Sequence, residues 1–313
     1  MGWPWTEESA PCPPAGVTWP RISVITPSFN QARFLEATIR SVLLQSYPNL
    51  EYFVLDGGST DGSVAIIRKY ERWLTGWVSE PDGGQSAAIN RGLGASSGAF
   101  VTWINSDDML CRDALVNHAT TIGFRPGAVF VGDCEYIDEC GQFLDLHRGR
   151  VHDFESLVRV RTVWRGEPRG HIVQPEVLFP RKLALEVGGV DAQNHRTMDY
   201  ELWGKFLLAG AAFQYTQVRF GMFRLHAAQK TGQDWLQTQA LVASALRLIA
   251  EAPQLSARTQ RELSGDLEAY RRDYWRNSGP LARVGLPENI VLSLRRTQTK
   301  WRRRVSRLLR RAS

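Results

Sequence analysis

Two carboxylates stand side by side at the end of an apolar run in "FVTWINSDDML", residues 100–110. Adjacent like charges repel, so Asp107 and Asp108 point to a compensating partner. A hard divalent cation that also holds phosphate oxygens would supply one, with the amide of Asn105 beside it. The simpler alternative is that one aspartate caps a helix beginning near Leu110, but a cap needs only one of them.

Three other polar stretches carry similar chemistry: "TPSFNQ" (26–31), "DGGSTDG" (56–62) and "SEPDGGQS" (79–86). In the second, glycines allow close backbone approach to a ligand, and Asp56 offers a carboxylate to a base or ribose. The same residues also make an ordinary turn in which Thr60 or Asp61 caps the next helix. No Gly-Lys-Ser/Thr follows, so it is not a P-loop, and "TPSFNQ" lacks G-x-G-x-x-G.

The elements around these stretches must bring them together. "ISVIT", "LEYFVLD", "TGWVSE" and "AFVTWI" read as strands. "ARFLEATIRSVLLQ", "TDGSVAIIRKYERWL" and "QSAAINRGLGAS" read as helices between them. Strand–helix alternation at this pace predicts an α/β fold with a mostly parallel sheet and helices on both faces. All four polar stretches would then leave one edge, at the carboxyl ends of the strands, where open α/β sheets bind ligands. Further on, "GAVFVGDCEYIDECGQFLDLH" reads as two strands around Gly141, "MDYELWGKFLLAG" as an amphipathic helix, and "AAFQYTQVRFGMFRLH" as a strand. From about residue 234 the pattern is helical.

Composition narrows the class. The chain has 313 residues, of which 43% are hydrophobic and 22% charged, an ordinary globular balance. Cys12, Cys111, Cys134 and Cys140 lack the spacing of zinc pairs. The opening residues lack the basic and apolar regions of a signal peptide, and no run approaches the ~20 apolar residues that span a bilayer. The net charge of +6 comes from the tail: "LRRTQTKWRRRVSRLLRR" carries nine Lys or Arg, leaving 29 basic and 32 acidic residues elsewhere. Residues 289–313 form a basic amphipathic helix in this reading, with an anionic membrane surface contacting residues 289–311 as its candidate partner. Docking on the catalytic domain is the alternative. Nucleic acid is not expected, because no base-reading motif accompanies the charge.

The strand, loop and helix motifs of residues 21–230, together and in order, resemble the family-2 glycosyltransferases of the GT-A fold. The resemblance implies a Rossmann-like GT-A domain over 21–232, a flexible leader over 1–20 and a helical extension over 233–288. It also implies inverting transfer of a sugar from a nucleotide-diphosphate donor to an acceptor hydroxyl, with Mn²⁺ or Mg²⁺ as cofactor. On that basis Pro27, Ser28, Asn30, Asp56, Gln85 and Asn90 lie on the nucleotide-sugar side. The family's D-x-D motif falls on Asn105, Ser106 and Asp107, so its first aspartate is replaced by asparagine. Metal binding then rests on Asp107, with His226 completing the shell and Asp108 toward the acceptor or acting as a cap. Asp199 is the expected catalytic base, with Glu201 second. His171 and Gln174 fall on the acceptor side, and Gln229 and Lys230 in a loop near the diphosphate.

Direct displacement requires a base and a stabilised leaving group, without a second carboxylate nucleophile. The implied setting is cell-surface polysaccharide or glycan assembly at the cytoplasmic face of a membrane, on a saccharide or lipid-linked acceptor. Two alternatives remain at this stage. One is a non-catalytic nucleotide-sugar binder or membrane scaffold of the same fold, which Asn105 would permit. The other is a nucleotidyltransferase, which would need a Gly-rich basic signature near the N-terminus that "TPSFNQ" lacks.

Overall fold

A computed structural model of the chain describes residues 2–7, 16, 18–165, 170–230 and 234–278. The strand β1 (Ile22–Ser28) is buried at every position, as expected for a β-branched run with no polar face. It lies parallel between β2 (Leu50–Asp56) and β4 (Phe100–Trp103), and β2 pairs in parallel with β3 (Gly76–Ser79). Parallel neighbours need crossover connections. The helices α1 (Ala32–Leu43), α2 (Ser63–Tyr70) and α3 (Gln85–Ala95) supply them.

The second half mixes directions. After β5 (Met109–Leu110) and α4 (Ala114–Thr121), β6 (Ala128–Ile137) and β7 (Phe143–Arg148) form a hairpin that turns through Gly141. Then come α5 (Phe154–Val158), α6 (Val160–Arg165), β8 (Val177–Pro180), α7 (Arg181–Glu186), α8 (Met198–Leu208) and β9 (Ala212–Arg224). The strand order is β3-β2-β1-β4-β8-β6-β9-β5, with β7 beside β6. Because β8 is antiparallel to both β4 and β6, and β9 is parallel to β6, the carboxyl ends of β6 and β9 share the edge used by β1–β4. That edge collects the polar loops.

One expectation needs correction. The helix α8 is buried around most of its circumference rather than amphipathic. One side carries Trp203, stacked on Trp103 with centroids 5.7 Å apart and an 18° tilt. On another side, α9 (Asp234–Ala250) packs so closely that a Cβ at Gly204 would collide with Leu248. The helix α9 thus follows the expected boundary at 232 directly and packs on α8. The chain divides into two compact units, 1–267 and 268–313, and α9 belongs to the first. A last helix, α10, covers Ala257–Ser278; of the second unit only 268–278 are described. The basic tail, 289–313, lies outside the described residues.

The described residues at the start of the chain make contacts with the sheet and α1. The Trp3 indole donates to the Leu110 carbonyl at 2.9 Å, Pro4 is buried, and the Arg40 guanidinium lies 5.0 Å from the Trp5 ring centre. Burial of apolar area by these residues offsets the cost of ordering the segment. Among the described residues no helix is long and apolar enough to cross a membrane.

Candidate active site

The first two loops are sewn together. Asn30, in the left-handed region at φ 52°, donates its N–H to Ser59 Oγ (2.7 Å) and accepts from the Thr60 N–H (2.9 Å). Asp61 does not cap α2, which begins behind Gly62 at φ 98°. Its carboxylate instead accepts from the Ala32 N–H at the start of α1 (2.8 Å) and from the Ser63 N–H and hydroxyl. Burial alone would raise the Asp61 pKa, but these hydrogen bonds outweigh it and lower the value.

Asp56 is buried, and its carboxylate accepts from the Ser59 hydroxyl (2.5 Å), the Ser59 N–H (2.8 Å), the Gly58 N–H (3.2 Å) and the Ser79 hydroxyl (2.7 Å). It shapes the turn. Pro27 and Ser28 are buried beside it, and Ser28 Oγ has no hydrogen-bond partner. Between them and the turn, Phe29 is 60% exposed at the edge, within 3.4 Å of where a Cβ of Gly57 would sit. Sequence reasoning passed over Phe29. Its signal was a large aromatic placed in a polar loop.

At the "NSDD" loop the two carboxylates have different environments. Asp108 is buried, accepting from the Arg224 N–H (2.9 Å) and the Asn105 amide (3.2 Å). Burial first, and the Asp107 charge second, push its pKa well above the usual carboxylate value. No helix begins at Leu110, so Asp108 is not a cap. It ties the loop to the end of β9. Thr38 of α1 holds the same loop by donating to the Ser106 and Asp108 carbonyls (3.0 and 2.7 Å).

Asp107 is partly exposed and lies against His226, Oδ2 to Nε2 at 3.0 Å. The imidazole is almost fully buried against the Phe34 ring, centroids 4.9 Å apart, and the Gln229 side chain accepts from the His226 N–H (2.7 Å). Arg224, also missed from sequence, donates from Nε to the Asp107 carbonyl (2.8 Å) and from Nη1 to the carbonyls of Asp138 and Glu139.

A second chain of contacts runs through Asn105. Its carbonyl accepts from Gln85 (2.7 Å), whose own carbonyl accepts from the Lys230 ammonium (2.9 Å). Thus Gln85, Asn105, Asp107, Asp108, Gln229, Lys230 and His226 converge. Asn90 does not join them. Both ends of its amide are engaged with the backbone of Val190 (2.7 and 3.0 Å), so it pins the turn before α8.

The two acidic candidates on α8 separate. Asp199, in the first turn, is partly buried, and its carboxylate accepts from the Tyr200 N–H (2.8 Å). Burial raises its pKa from 3.8 to about 6. Glu201 faces α9, accepting from Asn194 (2.8 Å), Ser244 (3.2 Å) and Arg247 (2.7 Å). Two residues along a helix turn the side chain by roughly 200°, so Glu201 is a structural anchor where a second base was expected. Gln174 is buried with its amide on the Trp103 carbonyl, just before the "NSDD" loop. His171 lies 3.3 Å from the Tyr136 hydroxyl.

The Asp107–His226 pair suits a divalent ion. As they stand, the two atoms are 3.0 Å apart in a direct hydrogen bond or ion pair, and an ion taking both as ligands would displace the proton between them. No group of three or more His, Cys, Asp or Glu side chains suited to a metal occurs among the described residues. Two protein ligands would leave the remaining positions to phosphate oxygens and water, the usual arrangement for Mg²⁺-like ions.

Residues 23–186, more than half of the chain, match the family model described as Glycosyl transferase family 2. The chain belongs to that family. An uncharacterized glycosyltransferase of Rickettsia bellii is 26% identical over 215 residues, covering 67% of this chain and 31% of the relative. One from Mycobacterium tuberculosis is 42% identical over 101 residues, covering 32% and 38%. Bacillus subtilis TuaG, named for teichuronic acid biosynthesis, is 37% identical over 99 residues, covering 31% and 39%. The chain thus spans between 31% and 39% of the length of these three relatives.

Among solved structures, S. aureus TarS 1-349 with UDP-GlcNAc superposes with a TM-score of 0.63 at 16% identity, over 86% of this chain and 77% of that one. The mannosyltransferase PcManGT of Pyrobaculum calidifontis, with GDP-Man and Mn²⁺, superposes at 0.53 with 21% identity, over 95% and 84%. This family 2 chain therefore has the GT-A-like α/β fold of those enzymes.

Proposed function

We propose that this family 2 glycosyltransferase transfers a sugar from a nucleotide-diphosphate donor to an acceptor hydroxyl with inversion, using Asp199 as base. The observation that carries the reading is the Asp107–His226 pair, 3.0 Å apart on the edge where the four polar loops meet. Pro27, Ser28, Phe29 and the turn shaped by Asp56 would face the nucleotide. Mn²⁺ or Mg²⁺ held by Asp107 and His226 would neutralise charge on the departing diphosphate.

The chain's own residues do the rest. Lys230 and Gln229 bring the 225–230 loop over the donor's phosphates, while Gln85 and Asn105 hold that loop in register with "NSDD". Asp199 removes the acceptor proton as the oxygen attacks the anomeric carbon. The bond from that carbon to the diphosphate breaks on the opposite face, and the nucleoside diphosphate leaves with the electron pair. The donor complexes of TarS and PcManGT and the name of TuaG support a role in polysaccharide or glycan assembly. The arginine-rich sequence of 289–311 supports reversible attachment to an anionic membrane surface.

The test is a calorimetric titration with a panel of nucleotide-sugars, with and without Mn²⁺, while following donor hydrolysis. One donor should bind in a metal-dependent manner and be slowly hydrolysed. Tight binding without turnover, even with acceptors present, would favour a non-catalytic binder. Absence of metal-linked binding to every donor would refute the assignment of Asp107.

A further inference from the structure

The carboxyl ends of β6 and β9, with the antiparallel β7 beside them, carry a group of rings that the donor chemistry does not use. Across the three strands Asp145, Tyr136 and Phe223 are register partners, so they share one face of the sheet. The next row on that face is His147, Cys134 and Gly221. Tyr136 and Phe223 meet edge to face, centroids 5.8 Å apart and planes at 85°. Behind them the His147 and His171 rings lie 4.4 Å apart, and the His147 ring nitrogen donates to the His171 carbonyl at 2.5 Å.

Gly221 explains how the 170–176 segment reaches this face. A Cβ there would collide with the Pro175 carbonyl, so only glycine lets the segment lie on the sheet. His171 is thereby delivered to Tyr136. The ledge is also joined to the donor side, because Phe223 precedes Arg224, whose N–H is bonded to Asp108. Tyr136, His171 and Phe223 are each partly exposed, and Asp145 is exposed.

We infer that this ledge is the binding platform for an uncharged pyranose of the acceptor. The inference rests on the glycosyl-transfer reading above and names a substrate class for it. The apolar C–H face of a pyranose complements the electron-rich face of an aromatic ring. Its hydroxyls suit a carboxylate, which accepts from two neighbouring hydroxyls. Neither row carries Lys or Arg, and Asp145 repels anions, so a phosphorylated or carboxylated acceptor unit does not fit.

The test is saturation-transfer NMR on the full chain with the methyl pyranosides of glucose, galactose, mannose and N-acetylglucosamine. Glycerol 3-phosphate and a nucleotide-sugar panel are titrated in parallel. At least one pyranoside should bind through its ring C–H protons. Phe223→Ala and Tyr136→Ala should weaken it about five-fold, Tyr136→Phe should restore it, and Asp145→Asn should weaken it in a protein with unchanged melting behaviour. The platform is overturned if no pyranoside binds, if Tyr136→Ala and Asp145→Asn bind as well as the parent, or if only glycerol 3-phosphate binds. Nucleotide-sugar binding without pyranoside binding refutes the platform alone, whereas the reverse refutes the donor reading alone.

Discussion

Replacing Asp199 by asparagine should abolish transfer while making the protein more stable, and the two effects have one cause. Burial in the first turn of α8 raises the Asp199 pKa from 3.8 to about 6. The folded state therefore binds a proton more tightly than the unfolded state does. Between pH 3.8 and about 6 the folded protein holds more protons, so stability falls as pH rises through that window and stays reduced above it. The shift corresponds to at most about 3 kcal/mol at neutral pH. Asparagine has no charge to desolvate, so Asp199→Asn should raise the urea midpoint at pH 7.5 and lose the advantage below pH 4. The same carboxylate must be ionised to accept the acceptor proton. The transfer rate should then rise with pH through a midpoint near 6 in the parent, and fall by about 10²–10⁴-fold in the variant. Urea melts at pH 4 and 7.5, with steady-state kinetics from pH 5 to 8, would measure both. A variant that keeps its activity, or is destabilised at pH 7.5, would refute the assignment.

Other expectations follow from the contacts. Asp107→Ala and His226→Ala should each weaken Mn²⁺-supported donor binding by more than about tenfold, with little change in metal-free binding, as read by calorimetry. Gly221→Ala should cost about 3 kcal/mol, because the added methyl meets backbone of the 170–176 segment rather than a movable side chain; a urea melt would show it. Glu201→Gln, which weakens the contact to the half-exposed Arg247, should cost about 1–3 kcal/mol and leave turnover per folded molecule unchanged. Asn105→Asp should lower the melting midpoint in EDTA, since an ionised aspartate cannot donate to Asp108 and adds a third charge to the loop. Mn²⁺ should recover part of that loss.

The parallel half of the fold was legible in the sequence because each strand announces itself by composition. "ISVIT" has no polar face, and Pro27, "YPN" and the glycine turns mark where strands and helices end. The loops at the strand ends were legible for the same reason, and the structure brings Asp107, Gln85 and Asn105 together there. Partnerships set by distant residues were not. Asn90 and Asp56 have side chains that suit a ligand, and sequence alone cannot reveal that Val190 and Ser79 already occupy them. Glu201 follows the same rule, since its partners lie 46 residues downstream at Arg247 and 43 at Ser244.

The replacement of the first D-x-D aspartate becomes intelligible only from these partnerships. At position 105 the side chain must accept from Gln85 and donate to Asp108 at once. A carboxylate can do the first and not the second, whereas an amide does both. Asp108 is buried with its pKa raised, so a donor beside it lowers the cost of keeping it there. Asparagine thus makes position 105 a scaffold residue, and in the proposed mechanism the cation would rest on Asp107 and His226. The departure from the family motif is consistent with the proposed transfer, because Asp107 and His226 remain paired and Asn105 ties their loop to Gln85 and Asp108.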